Sequence, residues 1–280
     1  MLPLESVPNF SEGRDRGTID AIADALGSRA RLLDVHADAD HNRSVFTLVG
    51  DEQELADALL AGVAVAVERI DLRRHEGAHP RIGAADVVPL VPIDPGDMER
   101  ARAAAAVVGA RIGDELGLPV FVYDPPARGP AFYRRGNIAE IEPDYGPRDL
   151  HPTAGGVILG ARRPLIAFNV NLRGPVSVAR DIAAVVRERG GGFAGVRALG
   201  LDLPTAGLVQ VSMNVEDWEA SALHDIVDRI RVEAEARGVE VVGSELVGLM
   251  PAGAAATAAG AILGISGFDA SRLLELRLLQ

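Results

Sequence analysis

The 280-residue chain has no cysteine. That removes disulfides, thiol nucleophiles and cysteine–zinc sites. With no thiol to protect or oxidise, the cytoplasm is the default compartment. Lysine is absent too, so all 28 basic residues are arginine. A Schiff-base lysine is therefore excluded, and pyridoxal phosphate chemistry with it. The phosphate-cradling G-x-x-x-x-G-K-[ST] loop is excluded as well. No apolar run approaches the ~20 residues that a membrane span needs. The start, "MLPLESVPNFSEGRD", has neither the basic nor the apolar region of a secretion signal. A net charge of −12 speaks against nucleic-acid binding, which rests on phosphate neutralisation. It leaves room for an anionic small molecule wherever arginines converge.

Hydrophobic residues make up 48% of the chain, enough for a sizeable core. The length suits one large domain or two lobes. The first ninety-odd residues read β-α-β-β-α-β. A short strand comes first in "LESVPNFSE", then a helix in "DRGTIDAIADALGS". Strands over Leu32–His36 and Ser44–Val49 follow, then a helix from Asp51, placed as its cap. "ADVVPLVPI" reads as a buried strand, although Pro89 and Pro92 predict an edge or a bulge. A long helix and the strand "PVFVYD" come next. From Pro125 to Gly160 the chain is rich in proline, glycine and arginine and has little periodicity. A stretch of that length inside a domain points to function. The second half repeats the order β-α-β-β-α-β and closes on one or two terminal helices. The fold expected is α+β: two ferredoxin-like lobes, residues 1–160 and 161–280, facing each other across a cleft. Ligand sites favour such clefts.

Four polar clusters stand out. "HEGAH", His75 to His79, spells the H-E-x-x-H zinc signature. That chemistry needs both histidines on one helical face. Gly77 weakens a helix, Pro80 disfavours the helical region at His79, and a strand follows directly. Glu99 is a distant third ligand for the metallohydrolase reading. The alternative is a loop feeding a strand, in which Arg73, Arg74 and Arg81 flank two histidines. A histidine is the obvious proton carrier in a chain without cysteine or lysine. The plain reading is a pair of solvated loop histidines. The second cluster is "DVHADADHNR", residues 34–43, which fits a calcium loop poorly. Asp34 and His36 share a strand face by two-residue alternation. The third, "DYGPRDLHPTAGG", has a stiff backbone suited to meeting carboxylates or a pterin edge, or else is an inert linker. The fourth pairs Asn9 with Ser11 and Asn169 with Asn171. Asparagine is depleted in strands, so these positions suggest a polar ligand surface.

Taken in order, "VPNFSEG", "LLDVHADADHNRSVFTLVG", "HEGAHPRIGAADVVPLVPI", "PDYGP" with "HPTAGG", "GARRPLIAFNVNL" and "VVGSELVGLMP" resemble the formiminotransferase domain. The resemblance runs from Leu4 to Pro251, with no cyclodeaminase portion after it. It implies transfer of a formimidoyl group from N-formimidoyl-L-glutamate to tetrahydrofolate, a step of histidine degradation and one-carbon metabolism. Tetrahydrofolate enters as co-substrate and no metal is needed. By the resemblance, His79 of the H-P-R motif is the general acid and base. The folate-contacting segment maps onto Gly146 to Gly155, with Gly146, Pro147, Pro152 and Gly155 matching most directly. Asn9, Ser11, His36, Arg43, Arg81, Asn169 and Asn171 complete the expected substrate and folate surface. Two features depart from the family pattern. His36 replaces the second acid of its D-V-D loop, and the connection after "YRRGNIAEIE" is shorter. They keep open a non-catalytic or altered-substrate folate-binding homologue. The partners expected are small molecules, neither nucleic acid nor membrane, with a homodimer as the base-rate oligomer.

Overall fold

The computed structural model describes residues 2–78, 80–123, 129–135 and 138–278. His79 lies outside them, as do positions 125–128 and 136–137 of the aperiodic stretch. The chain divides into two compact units, Met1–Arg163 and Pro164–Gln280. Each is α+β, with its own sheet and its own core.

In the first unit the elements run β1 (Leu4–Ser6), β2 (Asn9–Phe10), α1 (Arg16–Gly27), β3 (Arg31–Asp38), β4 (Arg43–Gly50), α2 (Glu52–Arg69), β5 (Ala85–Pro92), α3 (Met98–Leu116), β6 (Val120–Val122), α4 (Pro130–Arg135) and β7 (Val157–Ala161). Local chemistry sets the helix starts. The Asp15 carboxylate accepts from the Gly17 and Thr18 amides at the head of α1. Asp51 and Glu54 form a reciprocal capping box at the head of α2. Gly117 ends α3 in the left-handed conformation that glycine adopts most cheaply.

β1 and β2 are one strand path interrupted at Val7–Pro8, lying between β4 and β5. β3 pairs outside β4, and β7 lies between β5 and β6, parallel to both. Phe10, Phe46, Leu48, Val88 and Leu90 join α1, α2 and α3 in one core. Phe10 and Phe46 meet edge to face, with ring centroids 5.4 Å apart. A smaller apolar cluster holds Val87, Phe121, Tyr123, Ile158 and Tyr133 of α4.

β5 is not an edge. It is central and buried throughout, although its prolines predicted otherwise. The registers Ser6↔Leu90 and Asn9↔Val87 explain this, because they place Val88 and Pro89 opposite the Val7–Pro8 interruption. The missing proline N–H therefore falls where its neighbour offers no ladder partner. The Pro89 carbonyl accepts from the Ser6 hydroxyl at 2.7 Å instead. A bulge does occur, as a register shift beside Asn9. The periodicity does not predict β7: its five residues, with Gly160 among them and two glycines before them, give too short a pattern to separate from the preceding loop.

The second unit runs β8 (Ile166–Arg173), α5 (Val176–Val186), β9 (Val196–Leu203), β10 (Leu208–Val215), α6 (Leu223–Ala236), β11 (Glu240–Val247), α7 (Ala252–Leu263) and α8 (Leu274–Leu278). Its antiparallel sheet has the order β11-β8-β10-β9. Ile166, Val170, Leu172 and Val211 pack with Ile182, Val186, Ile226 and Ile230 of α5 and α6. Strand alternation sends Asn169 and Asn171 to the other face. No described helix is long and apolar enough to cross a membrane.

Candidate active site

The site of the first unit is built where three loops meet on Asn42. This residue adopts φ +46, the left-handed conformation that asparagine tolerates better than most. Its side-chain oxygen accepts from the Gly13 amide at 2.9 Å, and its side-chain nitrogen donates to the Glu76 carbonyl at 2.9 Å. Its own carbonyl accepts from Arg81 at 3.2 Å and lies 3.1 Å from His75 Nε2. The loop after β2, the β3–β4 turn and the loop before β5 are thereby fastened together. The Ala78 amide adds a bond to the Asp40 carbonyl at 3.1 Å. Gly77 is required by proximity, since a β-carbon there would lie 2.4 Å from the His41 carbonyl.

His75 to Ala78 form no helix; a single 3-10 turn, Leu72–Arg74, precedes them. The helical face that a zinc reading of H-E-x-x-H requires is missing from these residues. Among the described residues, no three histidine, aspartate or glutamate side chains converge as a metal site. An open depression of about 530 Å³ is lined by Leu72, His75, Glu76, Gly77, Pro80, Arg81 and Ile82.

Register brings Asn9, His36 and Arg43 to one sheet face. Asn9 and His36 both pair with Val45, and Arg43 stands two residues before it. Arg43 donates to the Asn9 side-chain oxygen. The buried Ser11 hydroxyl donates to the Gly83 carbonyl at 2.7 Å, tying this end of the sheet to the loop before β5. The Arg81 guanidinium lies 2.6 Å from both ring nitrogens of His75 and donates to the His41 carbonyl at 3.1 Å.

A buried acid completes the cluster. Asp86 accepts from the Ile82 amide at 2.7 Å and pairs with Arg134 of α4. α4 is fixed by the buried Tyr133, whose ring packs on Phe121 and whose hydroxyl donates to the Val122 carbonyl. Three guanidiniums, Arg43, Arg81 and Arg134, thus share one neighbourhood with the Asp86 carboxylate. Burial, together with the Arg134 and Arg81 charges, pushes Arg43 down to about 9 against the pull of Asp86. It stays cationic at neutral pH. Burial also lowers Arg81, with Arg134 and Arg14 adding to the fall and Asp86 opposing it. Burial and the Arg81 charge lower His75, which favours its neutral form.

The segment from Gly146 to Gly155 splits in two. Gly146, at φ +79, packs on the end of α3, where a β-carbon would lie 2.2 Å from the Leu118 carbonyl; Pro147 beside it is exposed. Pro152 is exposed on a turn that His151 and Gly155 close with two backbone bonds of 2.9 Å. That turn abuts the loop before β5. Ala84 donates to Ala154, Gly156 to Ile82 and Leu72 to Thr153. In the second unit, Asn169 donates to Glu245 at 3.1 Å. Gln210 donates to Asn171 at 3.0 Å and to Glu245 at 3.3 Å.

By sequence Asn42 is only one member of the 34–43 cluster, and Asp86, Arg134, Gln210 and Glu245 are not singled out. Only Asp86 gave a usable signal, a carboxylate inside an otherwise apolar strand.

These features define a two-unit α+β protein whose first unit gathers arginines and histidine around an open, loop-built site. Residues 3–162 match the model of the formiminotransferase domain, N-terminal subdomain, and residues 167–263 match that of the formiminotransferase domain. The chain belongs to the formiminotransferase domain family. It is 41% identical over 286 residues to the glutamate formimidoyltransferase of Streptococcus pyogenes serotype M1, covering 95% of each chain. Against the glutamate formimidoyltransferase of Thermoplasma acidophilum it is 39% identical, covering 97% of this chain and 96% of the other. The formimidoyltransferase-cyclodeaminase of Rattus norvegicus is 38% identical over 89% of this chain, which spans 50% of that longer protein.

Proposed function

We propose that the chain is a glutamate formimidoyltransferase that moves a formimidoyl group from N-formimidoyl-L-glutamate to tetrahydrofolate. The near-full-length identity to two proteins of that name carries this reading. His79 is its general acid and base. Support comes from the flanks of His79: Ala78 is bonded to Asp40, and Arg81 to His41 and Asn42. The tetrahydrofolate N5 lone pair attacks the formimidoyl carbon, and His79 takes the N5 proton as that carbon becomes tetrahedral. The carbon–nitrogen bond to glutamate then breaks, and His79 returns the proton to the departing amine. No metal takes part in this route. Gly146 to Gly155 is the folate-contacting segment, supported at its end by the bonds of Thr153 to Leu72 and of Ala154 to Ala84. Asn169 and Asn171 contribute a polar folate surface.

Both units are read as ferredoxin-like, supported by their strand orders. Counting β1 with β2 as the first strand, the first unit's β-α-β-β-α-β segment runs second, third, first, fourth, and the second unit runs fourth, first, third, second. Residues 1–160 are then the lobe with the catalytic histidine and 161–280 its companion. The absence of cysteine favours a cytoplasmic setting.

His79→Ala should abolish transfer from formimidoylglutamate to tetrahydrofolate in a coupled assay, with the circular dichroism spectrum unchanged. Near wild-type turnover would remove His79 from the mechanism. His36, in place of an acid, favours a second reading: tetrahydrofolate binding without turnover. Transfer above background by the wild type excludes it.

A further inference from the structure

Asn42 is the one residue other than glycine with positive φ among the described residues, and it is 6% exposed. Left-handed backbone costs an L-residue free energy that glycine is spared. A glycine would hold φ +46 more cheaply, so the backbone alone does not call for asparagine. The side chain does. A short amide carries an acceptor and a donor together, and both are used here. Oδ1 accepts from the Gly13 amide at 2.9 Å, and Nδ2 donates to the Glu76 carbonyl at 2.9 Å.

Three more bonds run between the same two segments. The Asn42 carbonyl accepts from Arg81 Nη1 at 3.2 Å, and the His41 carbonyl from Arg81 Nη2 at 3.1 Å. The Ala78 amide donates to the Asp40 carbonyl at 3.1 Å. The loop is thus bonded before position 79, at Glu76 and Ala78, and after it, at Arg81. All of these bonds reach three consecutive residues of the β3–β4 turn. The packing has no slack. A β-carbon on Gly77 would lie 2.4 Å from the His41 carbonyl and 2.9 Å from the Asn42 β-carbon, and one on Gly13 would lie 2.5 Å from the Arg43 nitrogen. The turn is a template against which the loop before β5 is laid. Backbone strain persists where the surrounding structure over-determines it, commonly at a functional site.

We infer that Asn42 is a positioning residue. Its side chain, anchored on Gly13, seats the H-P-R loop through the Glu76 carbonyl and so sets the place from which His79 exchanges its proton. This rests on the transferase reading for the role of His79, and on the bonds themselves for the seating of the loop. A displacement of about 1 Å at a catalytic group can cost about a hundredfold in rate, so the effect belongs to kcat rather than to KM.

The test compares Asn42→Gly and Asn42→Asp with the wild type in the full chain. Glycine keeps the backbone conformation and removes both side-chain bonds. Aspartate keeps an oxygen for the Gly13 amide and sets its second oxygen against the Glu76 carbonyl. kcat should fall at least about tenfold in each, and further in Asn42→Asp, with KM for either substrate within about threefold of the wild type. Wild-type kcat in Asn42→Gly would mean that the backbone conformation alone matters, and overturns the inference. So does a rise in KM at unchanged kcat. A lower urea midpoint with kcat per folded molecule unchanged, the mark of a purely structural role, overturns it too. Hydrogen exchange separates the loop from the activity. The Ala78 amide should exchange at least about tenfold faster in both variants, with the amides of β5 unchanged. If the wild type transfers no formimidoyl group yet the Ala78 amide is freed in the variants, the transferase reading fails and the seating of the loop stands. If Ala78 exchanges at one rate in all three proteins, Asn42 does not set the loop.

Discussion

At the scale of the residue, polar side chains here act mostly on backbone. Asn42 holds the Gly13 amide and the Glu76 carbonyl, and Asp86 holds the Ile82 amide. Sequence gives such residues little away. An asparagine among "DADHNR" looks like any loop residue until its backbone is known to be left-handed. His75 was legible as one of two histidines among arginines, but its environment was not. Burial and Arg81 hold its imidazole below the ordinary 6.5, so protonation favours the unfolded chain. The stability it contributes is present above that ordinary value and is lost as pH falls through the lower, folded-state value. Between about pH 7.5 and about pH 5, the melting temperature of the wild type should therefore fall more steeply than that of His75→Gln. Parallel slopes in a calorimetric series would show that His75 is not the group responsible.

At the scale of the element, what periodicity could report was reported. α2 begins one residue after its predicted Asp51 cap, and the turn at Pro204–Gly207 joins β9 to β10. The failures have local causes. Proline in β5 suggested an edge, because a one-dimensional reading does not reveal that the adjacent strand is itself broken at the same level. α4 lies in the aperiodic stretch, and its six residues are too few for a helical pattern, so Arg134 stayed hidden with it. The turn from His151 to Gly155 is similar: its glycine was legible as a turn residue, and its neighbours were not. Gly155 has φ +68, and a β-carbon there would lie 2.1 Å from the Ile82 carbonyl. Gly155→Ala combines left-handed strain with backbone displacement. It should cost about 2 kcal/mol or more, read as a lower urea midpoint. An unchanged midpoint would mean that the turn moves freely against the loop before β5.

At the scale of the whole molecule, the charge carries an apparent conflict. A chain of net charge −12 is proposed to bind a substrate that carries two carboxylates. Distance resolves it. At ~0.1 M salt, charges more than about 10 Å from the ligand are largely screened, so the guanidiniums beside the site count for more than the net charge of the whole chain. KM for formimidoylglutamate should rise when salt goes from about 50 mM to about 500 mM, because contact attraction is weakened while the global repulsion is already faint. A KM that falls with salt would mean the global charge governs capture. The two-unit architecture was legible from the repeated element order, because both halves show the same alternation of apolar periods. The meeting of Asn9, His36 and Arg43 on one sheet face needed the strand register, which no single strand encodes.

The interruption at Val7–Pro8 has one more consequence. With Pro89 facing it, the middle of the first sheet has a gap in its hydrogen-bond ladder, bridged by the Ser6 hydroxyl. Amide protons on the two sides of that gap belong to separate stretches of pairing. Leu4–Ser6 is zipped to the far end of β5, and Asn9–Phe10 to the end beside Asp86. Hydrogen exchange should therefore find two separate protected stretches in this one strand path, Leu4–Ser6 and Asn9–Phe10, while β4 and β5, paired without a break to β3 and β7, stay continuous beside it.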